Sequence, residues 1–495
     1  MKTSILPPLF LAVFFPLFAR AQKVLTVPSP YPTIQAAIDA AADSDTVLVS
    51  PGHYLENIDY KGKGITVKST GGPWRTTIEG KQIGRVVHIR VNSPATLEGF
   101  TITNGKTAGG GIQARGTVTI RDNIITNNND VEGAAIHVDD AVLIERNTIS
   151  SNTCTGNWRG GAIYYSGSTG YPIIRENLII NNISLSDGGA IYSLGGSANI
   201  LNNVISGNTA LQDGGGLMAK YSSDTVVGNI FFKNTVGRNG GAIHTESIPE
   251  FVNNTLVDNS AGLNGGGFYM NSSTASLINN ILWNNQAKGS GPEIWLGKSC
   301  PTCPPSTVSV ACSVVKNGKS SIHVEAGSTL NWGAGMITAD PRFADRTAGD
   351  LHLTFASPCL ETGVNHNPPS TDFEGDPRIA ASSIDIGADE FHPHLYEVGV
   401  PTPGGALRIK VIGQPNALVF WGFSHTLRTP PLVIPGAGPF HLGDPFHVIP
   451  LGLVPPPGVT VLPLTLPSTF PRPLAVPTQA LIGLELSNLS VVNVR

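Results

Sequence analysis

The sequence predicts an all-β solenoid, a parallel β-helix opened by a capping helix and followed by a small β-sandwich-like domain. Three observations predict it. The first is composition: 57 Gly and 38 Pro in 495 residues, with only 13% charged, against roughly 25% in an average soluble protein. The second is a repeat, a small-residue pair followed by a β-forming apolar residue. It runs through Gly109-Gly110-Gly111-Ile112, Gly133-Ala134-Ala135-Ile136, Gly160-Gly161-Ala162-Ile163 and Gly188-Gly189-Ala190-Ile191. It continues through Gly214-Gly215-Gly216-Leu217, Gly240-Gly241-Ala242-Ile243, Gly265-Gly266-Gly267-Phe268 and the degenerate Gly291-Pro292-Glu293-Ile294, at intervals of 24 to 28 residues. The third is a motif of the same period, Asn123-x-Ile125-x-x-Asn128, with equivalents beginning at Asn147, Asn177, Asn203, Asn229, Asn254 and Asn280. Two columns that share one period mark stacked coils.

A period near 26 fits one coil of three short strands joined by turns. Segments such as Thr117-Val118-Thr119-Ile120 alternate and are β-branched. Each strand would pair with its equivalent one coil away, about 4.8 Å along the axis. Stacking then supplies the core that a single coil cannot bury. Gly and Asn suit the corners because both accept left-handed backbone. Aligned Asn amides can also bond to one another up the stack. The composition excludes two classes: a net charge of −4 without a basic stripe is unlike a nucleic-acid binder, and 40% hydrophobic residues are unlike a disordered chain.

In chain order, residues 1–21 read as a secretory signal peptide. Lys2 is the positive region, Ile5 to Phe18 the apolar one, and Ala19-Arg20-Ala21 the cleavage site. No later run is long enough to span a membrane. The mature chain is therefore expected to be exported, secreted or at the cell surface, without a transmembrane segment, and monomeric. Thr33 to Ala41 has helical spacing, and a helix there would cover the open edge of the first coil. The solenoid is expected over 22–392. Beyond it lies 393–495, where 17 of the 38 prolines fall after Leu395, between alternating runs such as Leu407-Arg408-Ile409-Lys410-Val411-Ile412, which suggests an antiparallel sandwich. Cys300 and Cys303 could close a local disulfide in an oxidising compartment or stay free thiols, and no second cysteine pair stands at zinc spacing.

Residues 24–300 resemble the right-handed parallel β-helix family, the pectin-lyase-like fold. The Thr33–Ala41 segment followed by Asp45–Tyr54 is similar to the opening of many members, where an amphipathic helix plugs the N-terminal end. The pattern of Gly240-Gly241-Ala242-Ile243 with Phe231 and Asn234 also resembles the repeats of polymorphic outer-membrane adhesins. Those carry a C-terminal membrane barrel, and nothing in this sequence reads as one. Asp340-Pro341-Arg342-Phe343, Ser357-Pro358-Cys359, Asp372-Phe373-Glu374-Gly375-Asp376-Pro377-Arg378 and Ser383-Ile384-Asp385-Ile386-Gly387-Ala388-Asp389-Glu390 resemble the choice-of-anchor terminal region of exported β-helix proteins, over 340–391. Its Asp and Arg residues are expected to tie loops together, and Asp372, Asp376 and Asp385 would also suit a calcium ion.

Chemistry on such a fold is sought in columns. The position before the small-residue pair reads Glu132, Arg159, Asp187, Asp213, Asn239, Asn264. Glu132, Arg159, Asp187 and Asp213 are the catalytic candidates: carboxylates about 5 Å apart suit a retaining glycosidase, and like charges that close raise one pKa. A calcium ion would also fit them. The competing reading is turn chemistry, because Asp and Asn before Gly are ordinary corner residues.

The position after the apolar residue reads Gln113, His137, Tyr164, Tyr192, Met218, His244, Tyr269, Trp295. Alternation points these outward. His137, Tyr164, Tyr192, His244, Tyr269 and Trp295 are thus candidates for a glycan-stacking platform, the competing reading being ring stacking that only stabilises. Polysaccharide lyases of the resembled family use a Lys or Arg base with calcium-bound uronate, and its hydrolases use clustered Asp; no matching signature stands in this sequence. Lys220, His137 and His244 stand isolated in sequence. The expectation is a binder of polysaccharide or surface partners without established catalysis, the alternatives being a polysaccharide lyase or glycoside hydrolase and a structural or adhesive protein. No nucleic acid is expected as partner, and calcium is the one candidate cofactor.

Overall fold

A computed structural model describes residues 21–391, apart from 107–109, 157–159, 168–169, 367 and 380–382, and beyond 391 only backbone strands between 394 and 494. Residues 1–20 of the expected signal peptide, and Arg159, lie outside the described residues. The repeats build a right-handed parallel β-helix. Among the described residues its strands form four parallel sheets. Sheet A runs from Val24–Val27 to Thr329–Trp332 in 13 strands, and sheet B from Gly52–Leu55 to Val314–Val315 in 11. Sheet C runs from Ile58–Asp59 to Ile322–Val324 in 11, and sheet D from Asn129–Asp130 to Gln286–Ala287 in 7.

One coil passes through A, B, D and C in that order, as Val118–Arg121, Ile124–Thr126, Asn129–Asp130 and Ile136–Val138. The sequence predicts three strands per coil; the fourth, in sheet D, is two residues long and too short to show a period. The apolar residues of the repeat, Ile112, Ile136, Ile163, Ile191, Leu217, Ile243, Phe268 and Ile294, pair rung by rung in sheet C. All are buried in one continuous core. Gly188 and Gly189 show why the small pair precedes them. Gly188 takes a φ of 63°, and a Cβ on Gly189 would collide with the Gly215 carbonyl of the next coil.

Both Asn columns are buried hydrogen-bond ladders. Asn203 Nδ2 donates to Asn229 Oδ1 at 2.9 Å, to Ile174 O at 2.8 Å and to Leu201 O at 3.0 Å. The same Asn229 oxygen accepts the Asn203 backbone N–H at 2.9 Å. The pattern repeats from Asn123 to Asn280 and from Asn128 to Asn285. The left-handed corner residue, however, is the one before the buried Asn: Asp122, Arg146, Glu176, Asn202 and Asn253 in one column, Asn127, Ser151, Asn181 and Lys233 in the other. The buried Asn keeps an ordinary backbone, and its neighbour takes the strain whatever its type. Residues such as Arg146 and Lys233, each at φ 52°, tolerate this because the ladder over-determines the corner.

The ladders end differently. Asn280 N donates to Ser313 Oγ at 3.0 Å. Asn285 donates its backbone N–H and its Nδ2 to the two oxygens of Glu293, at 3.2 and 2.6 Å. At the other end of the solenoid, the helix Ile34–Ala40 buries Ile34, Ala37 and Ile38 against the first coil. Thr33 caps it, and the Glu56 carboxylate accepts the Ile34 and Gln35 amides at 2.9 and 3.0 Å.

Residues 340–391 fold back over the outward face of sheet B. Leu351 and Ala388 pack with Ile230, Phe232 and Val257, and Leu353, Cys359 and Ile386 with Ile281 and Val314. Corner asparagines hold the segment. Asn202 Nδ2 donates to Thr371 O and Asp372 O, Asn253 Nδ2 to Asp385 O and Gly387 O, and Asn279 Nδ2 to Val364 O.

Cys300 and Cys303 form a disulfide, and Cys154, Cys312 and Cys359 are free. From 394 to 494 the described strands pair antiparallel; the side-chain packing that a sandwich needs lies outside the described residues. No helix among the described residues is long and apolar enough to cross a membrane.

Burial pushes the Glu293 carboxyl up to about 7 from 4.5, and the Asn285 hydrogen bonds do not offset it. A carboxyl that holds its proton more tightly when folded stabilises the fold fully below the unfolded value, and this contribution is lost as pH rises to about 7. Glu293→Gln keeps a ladder acceptor and removes that fall. Urea unfolding of both proteins at several pH values is expected to show the variant gaining on the wild type between pH 4.5 and 7; a difference that stays constant over that range rejects the assignment.

Candidate functional site

The outward face of sheet C carries the columns read in the sequence, and stacking turns isolated residues into neighbours. Met218 pairs in register with His244, and Lys220 with Glu246. The loop before the strand Leu217–Lys220 brings in Asp213, and the loop before Ile191–Leu194 brings in Asp187. His244 is only 4% exposed. Its Nδ1 lies 3.6 Å from Asp213 Oδ1, its Nε2 3.7 Å from Glu246 Oε1, and Lys220 Nζ stands 3.5 Å from Glu246 Oε2. Burial, then the neighbouring Asp213 charge, raises the Asp187 carboxyl. Asp213 is also buried, but the opposing pull of His244, Arg238 and Asn239 holds it below the ordinary carboxylate value. Two adjacent carboxyls pushed in opposite directions are what an acid and base pair requires.

The same carboxylates are also committed to structure. Asp213 N donates to Asp187 Oδ1 at 3.1 Å, and Asn239 donates N and Nδ2 to Asp213 Oδ1 at 3.0 and 2.9 Å. Asn264 N then donates to Asn239 Oδ1 at 3.3 Å, and Ser290 N to Asn264 Oδ1 at 3.0 Å. This column is a third ladder, in which Asp and Asn are interchangeable acceptors. Glu132 stands half-buried at its head.

The ring column stacks as expected. His137 meets Tyr164 edge-on at 4.9 Å, Tyr164 meets Tyr192 at 5.8 Å, and His244 meets Tyr269 at 4.7 Å. Tyr269 lies flat on Trp295 at 4.3 Å, and His323, which the sequence reading missed, extends the stack. Exposure is where the structure departs from strand alternation. Tyr164, Tyr192, Met218, His244 and Trp295 are buried, because the glycine turn before each strand folds back against them; Gly188 lies against Tyr192 and Gly240 against His244. His137 and Tyr269 are half-buried and retain surface.

A cleft of about 240 Å³ opens on the earlier coils of sheet C, lined by Arg85, His88, Ile89, Arg90, Gln113, Arg115 and Asp139. Arg90 and Arg115 are exposed and occupy the same position on successive rungs. Neither has an ion-pair partner within 4 Å among the described residues. The edge of sheet A shows the contrast. There Glu98, Arg121, Glu145 and Arg175 succeed one another in register, with Arg121–Glu98 at 2.7 Å and Arg175–Glu145 at 2.6 Å. Like charges directly opposite destabilise a sheet and unlike charges stabilise it, so the Arg90–Arg115 rung pair stands out. The last strand position of sheet C, read down the coils as Arg90, Arg115, Asp139, Ser166, Leu194, Lys220 and Glu246, is the signal that would have found it.

The calcium expected at Asp372, Asp376 and Asp385 does not fit their geometry. Asp372 Oδ1 accepts the amides of Glu374, Gly375 and Asp376, its Oδ2 that of Glu390, and Asp385 accepts those of Glu361 and Phe391. Among the described residues the three do not converge as one ligand set. Asp372 and Asp385 act as loop ties.

The family model of the right handed beta helix region matches residues 40–182 and 172–303. No curated protein matches the chain. Among solved structures it is similar to a PL6 family alginate lyase, AlyGC, at 13% identity and TM-score 0.32, over 63% of this chain and 53% of that one. The chain thus spans about half the length of that lyase. It is also similar to rice weevil pectin methyl esterase (11%, TM-score 0.24, 63% of this chain and 87% of that one). A third is a mannuronic acid specific polysaccharide family 6 lyase from human gut microbiota (13%, TM-score 0.25, 64% and 83%). At such identities the likeness is one of fold alone.

If Asp213 is a ladder acceptor, Asp213→Asn should change unfolding free energy by less than about 0.5 kcal/mol, as at an ordinary tolerant site. Asp213→Ala, which strands the Asn239 donors, should cost about 1–3 kcal/mol. Equal losses in the two variants on denaturant unfolding would reject the ladder role.

Proposed function

Because this chain belongs to the right-handed β-helix family, we propose that it uses the outward face of sheet C to bind an acidic polysaccharide, without catalysis as its primary role. The observation that carries this reading is the in-register pair Arg90 and Arg115 in the cleft with Arg85, His88 and Gln113. An anionic sugar group placed there relieves the repulsion between two guanidiniums and accepts their planar donors. Gln113 and Asp139 add uncharged and acidic partners for sugar hydroxyls. Farther along the face, His137 and Tyr269 keep ring surface for sugar contact. The basic patch is confined to one cleft, unlike the stripe a nucleic acid needs. Export by the expected signal peptide would place the monomeric protein, secreted or at the cell surface, among such polymers.

A second reading, glycoside hydrolysis or polysaccharide lysis, is favoured by the opposite shifts of Asp187 and Asp213 beside His244 and Lys220. One experiment addresses both. Calorimetric titration with polygalacturonate, and with neutral dextran as control, is expected to give saturable, salt-sensitive binding of the acidic polymer only. Arg90→Ala with Arg115→Ala should weaken it by at least about tenfold, equivalent to 1.4 kcal/mol. Unchanged affinity in the double variant, or equal binding of dextran, defeats the proposal and leaves a structural or adhesive role. Release of reducing ends from the bound polymer, lost in Asp187→Asn with Asp213→Asn, would establish the second reading; no release by the wild type dismisses it.

A further inference from the structure

We propose that His352, Glu374 and Asp389 form a binding site for a divalent transition-metal ion of the Zn²⁺ or Mn²⁺ class, which clamps the segment covering sheet B. His352 lies in the strand Asp350–Leu353, which pairs antiparallel with Phe343–Asp345. Its Nδ1 is 2.6 Å from Asp350 Oδ1. That contact orients the imidazole and turns Nε2 toward Glu374 Oε2, 2.8 Å away. A carboxylate behind a ligating imidazole is the usual support of a metal-bound histidine.

The third group supplies the independent observation. Asp389 is only 3% exposed. Its Oδ2 accepts the Leu353 backbone N–H at 2.6 Å, but its Oδ1 is buried with no hydrogen-bond partner among the described residues. A buried carboxylate oxygen without a donor is costly, and the Asp389 carboxylate shares its space with the other two groups. One ligand atom each from His352, Glu374 and Asp389 lie within 4.8 Å of one another. Ligands bound at about 2.1 Å to one ion stand roughly 3 Å apart or slightly more, so the 2.8 Å separation of Nε2 and Oε2 is close to what an ion would hold.

The donor set decides the class of ion. One imidazole with two carboxylates suits zinc or manganese, whereas calcium takes an all-oxygen shell. Glu374 is exposed, so the site is reached from solvent and leaves coordination positions for water. The second acidic group of this region, Glu361, Asp385 and Glu390, lacks the orphan oxygen, because both Asp385 oxygens accept backbone amides.

The ion would join three chain segments that sheet B otherwise holds through apolar contacts and corner asparagines. The test uses the full chain, stripped with a chelator and dialysed, and titrated by calorimetry with Zn²⁺, Mn²⁺ or Ca²⁺ alone. Expected are saturable one-to-one binding of Zn²⁺ or Mn²⁺ but not Ca²⁺, and a thermal unfolding midpoint raised by the same ion. Glu374→Gln, at an exposed position that does not threaten folding, should weaken binding at least about tenfold, as should Asp389→Asn, which keeps the Leu353 acceptor. Failure of the wild type to bind either ion saturably, or wild-type affinity in Glu374→Gln, overturns the site. Binding of Ca²⁺ as tight as that of Zn²⁺ also overturns it, because these three residues would not then be the ligands.

Discussion

Buried asparagine amides, bonded from each coil to the next, are the constraint on which this molecule depends. Each one donates to one or two backbone carbonyls, receives the amide of the coil before it, and passes the bond on. Such a bond contributes only about 1 kcal/mol net, but a buried donor left without a partner costs more. The ladder therefore tolerates little interruption, and it holds two corners in place in each coil from Asn123 to Asn285. Its neighbours can then take left-handed backbone even when they are Arg, Glu or Lys. The chemistry of the corner is buried, and the identity of the residue beside it becomes free for surface use. Asn202, Asn253 and Asn279 use that freedom to anchor a segment more than 80 residues away.

Once coils are held one strand-spacing apart, side chains act in columns, and electrostatics sorts the columns. Neutral Asn stacks without penalty: residues 97–290 hold 27 Asn and 29 Gly, which is why the chain is poor in charge where it is most regular. Where charge enters sheet A it alternates in sign along the column. Asp213 enters a ladder of amide acceptors with His244 and Arg238 close by, and its charge is tolerated for that reason. Arg90 and Arg115 escape this ordering, and a column that breaks its own electrostatic rule is a better pointer to a ligand than a cluster that obeys it.

The position of Asp187 and Asp213 joins structure and chemistry at one place. Their ladder bonds hold the loop ends that bury the ring column; burial raises both carboxyls, and the pull of His244, Arg238 and Asn239 on Asp213 separates their protonation behaviour. A perturbed carboxyl in this fold is thus compatible with a purely architectural role, and geometry at a bound sugar, rather than the pKa, distinguishes the two.

Much of the fold was legible in the sequence. The period, both Asn ladders and the in-register stacking follow from residues about 26 apart, because one coil is one repeat and the pairing is local in that sense, and the capping helix follows from helical spacing within Thr33–Ala41. The Asp187–Asp213 rung was legible for the same reason, as was the stacking of Tyr164 on Tyr192 and of Tyr269 on Trp295. What the tertiary structure alone decided is coverage. Alternation places Tyr192 and His244 on the outside, but whether outside means solvent depends on the glycine turn folding back over them. The apolar Ile230, Phe232 and Val257 face out of sheet B, and only the return of residues 340–391 makes them a core. His352, Glu374 and Asp389 meet for the same reason. They belong to no repeat, and no spacing in the chain announces a contact made by a segment that folds back over coils long since closed.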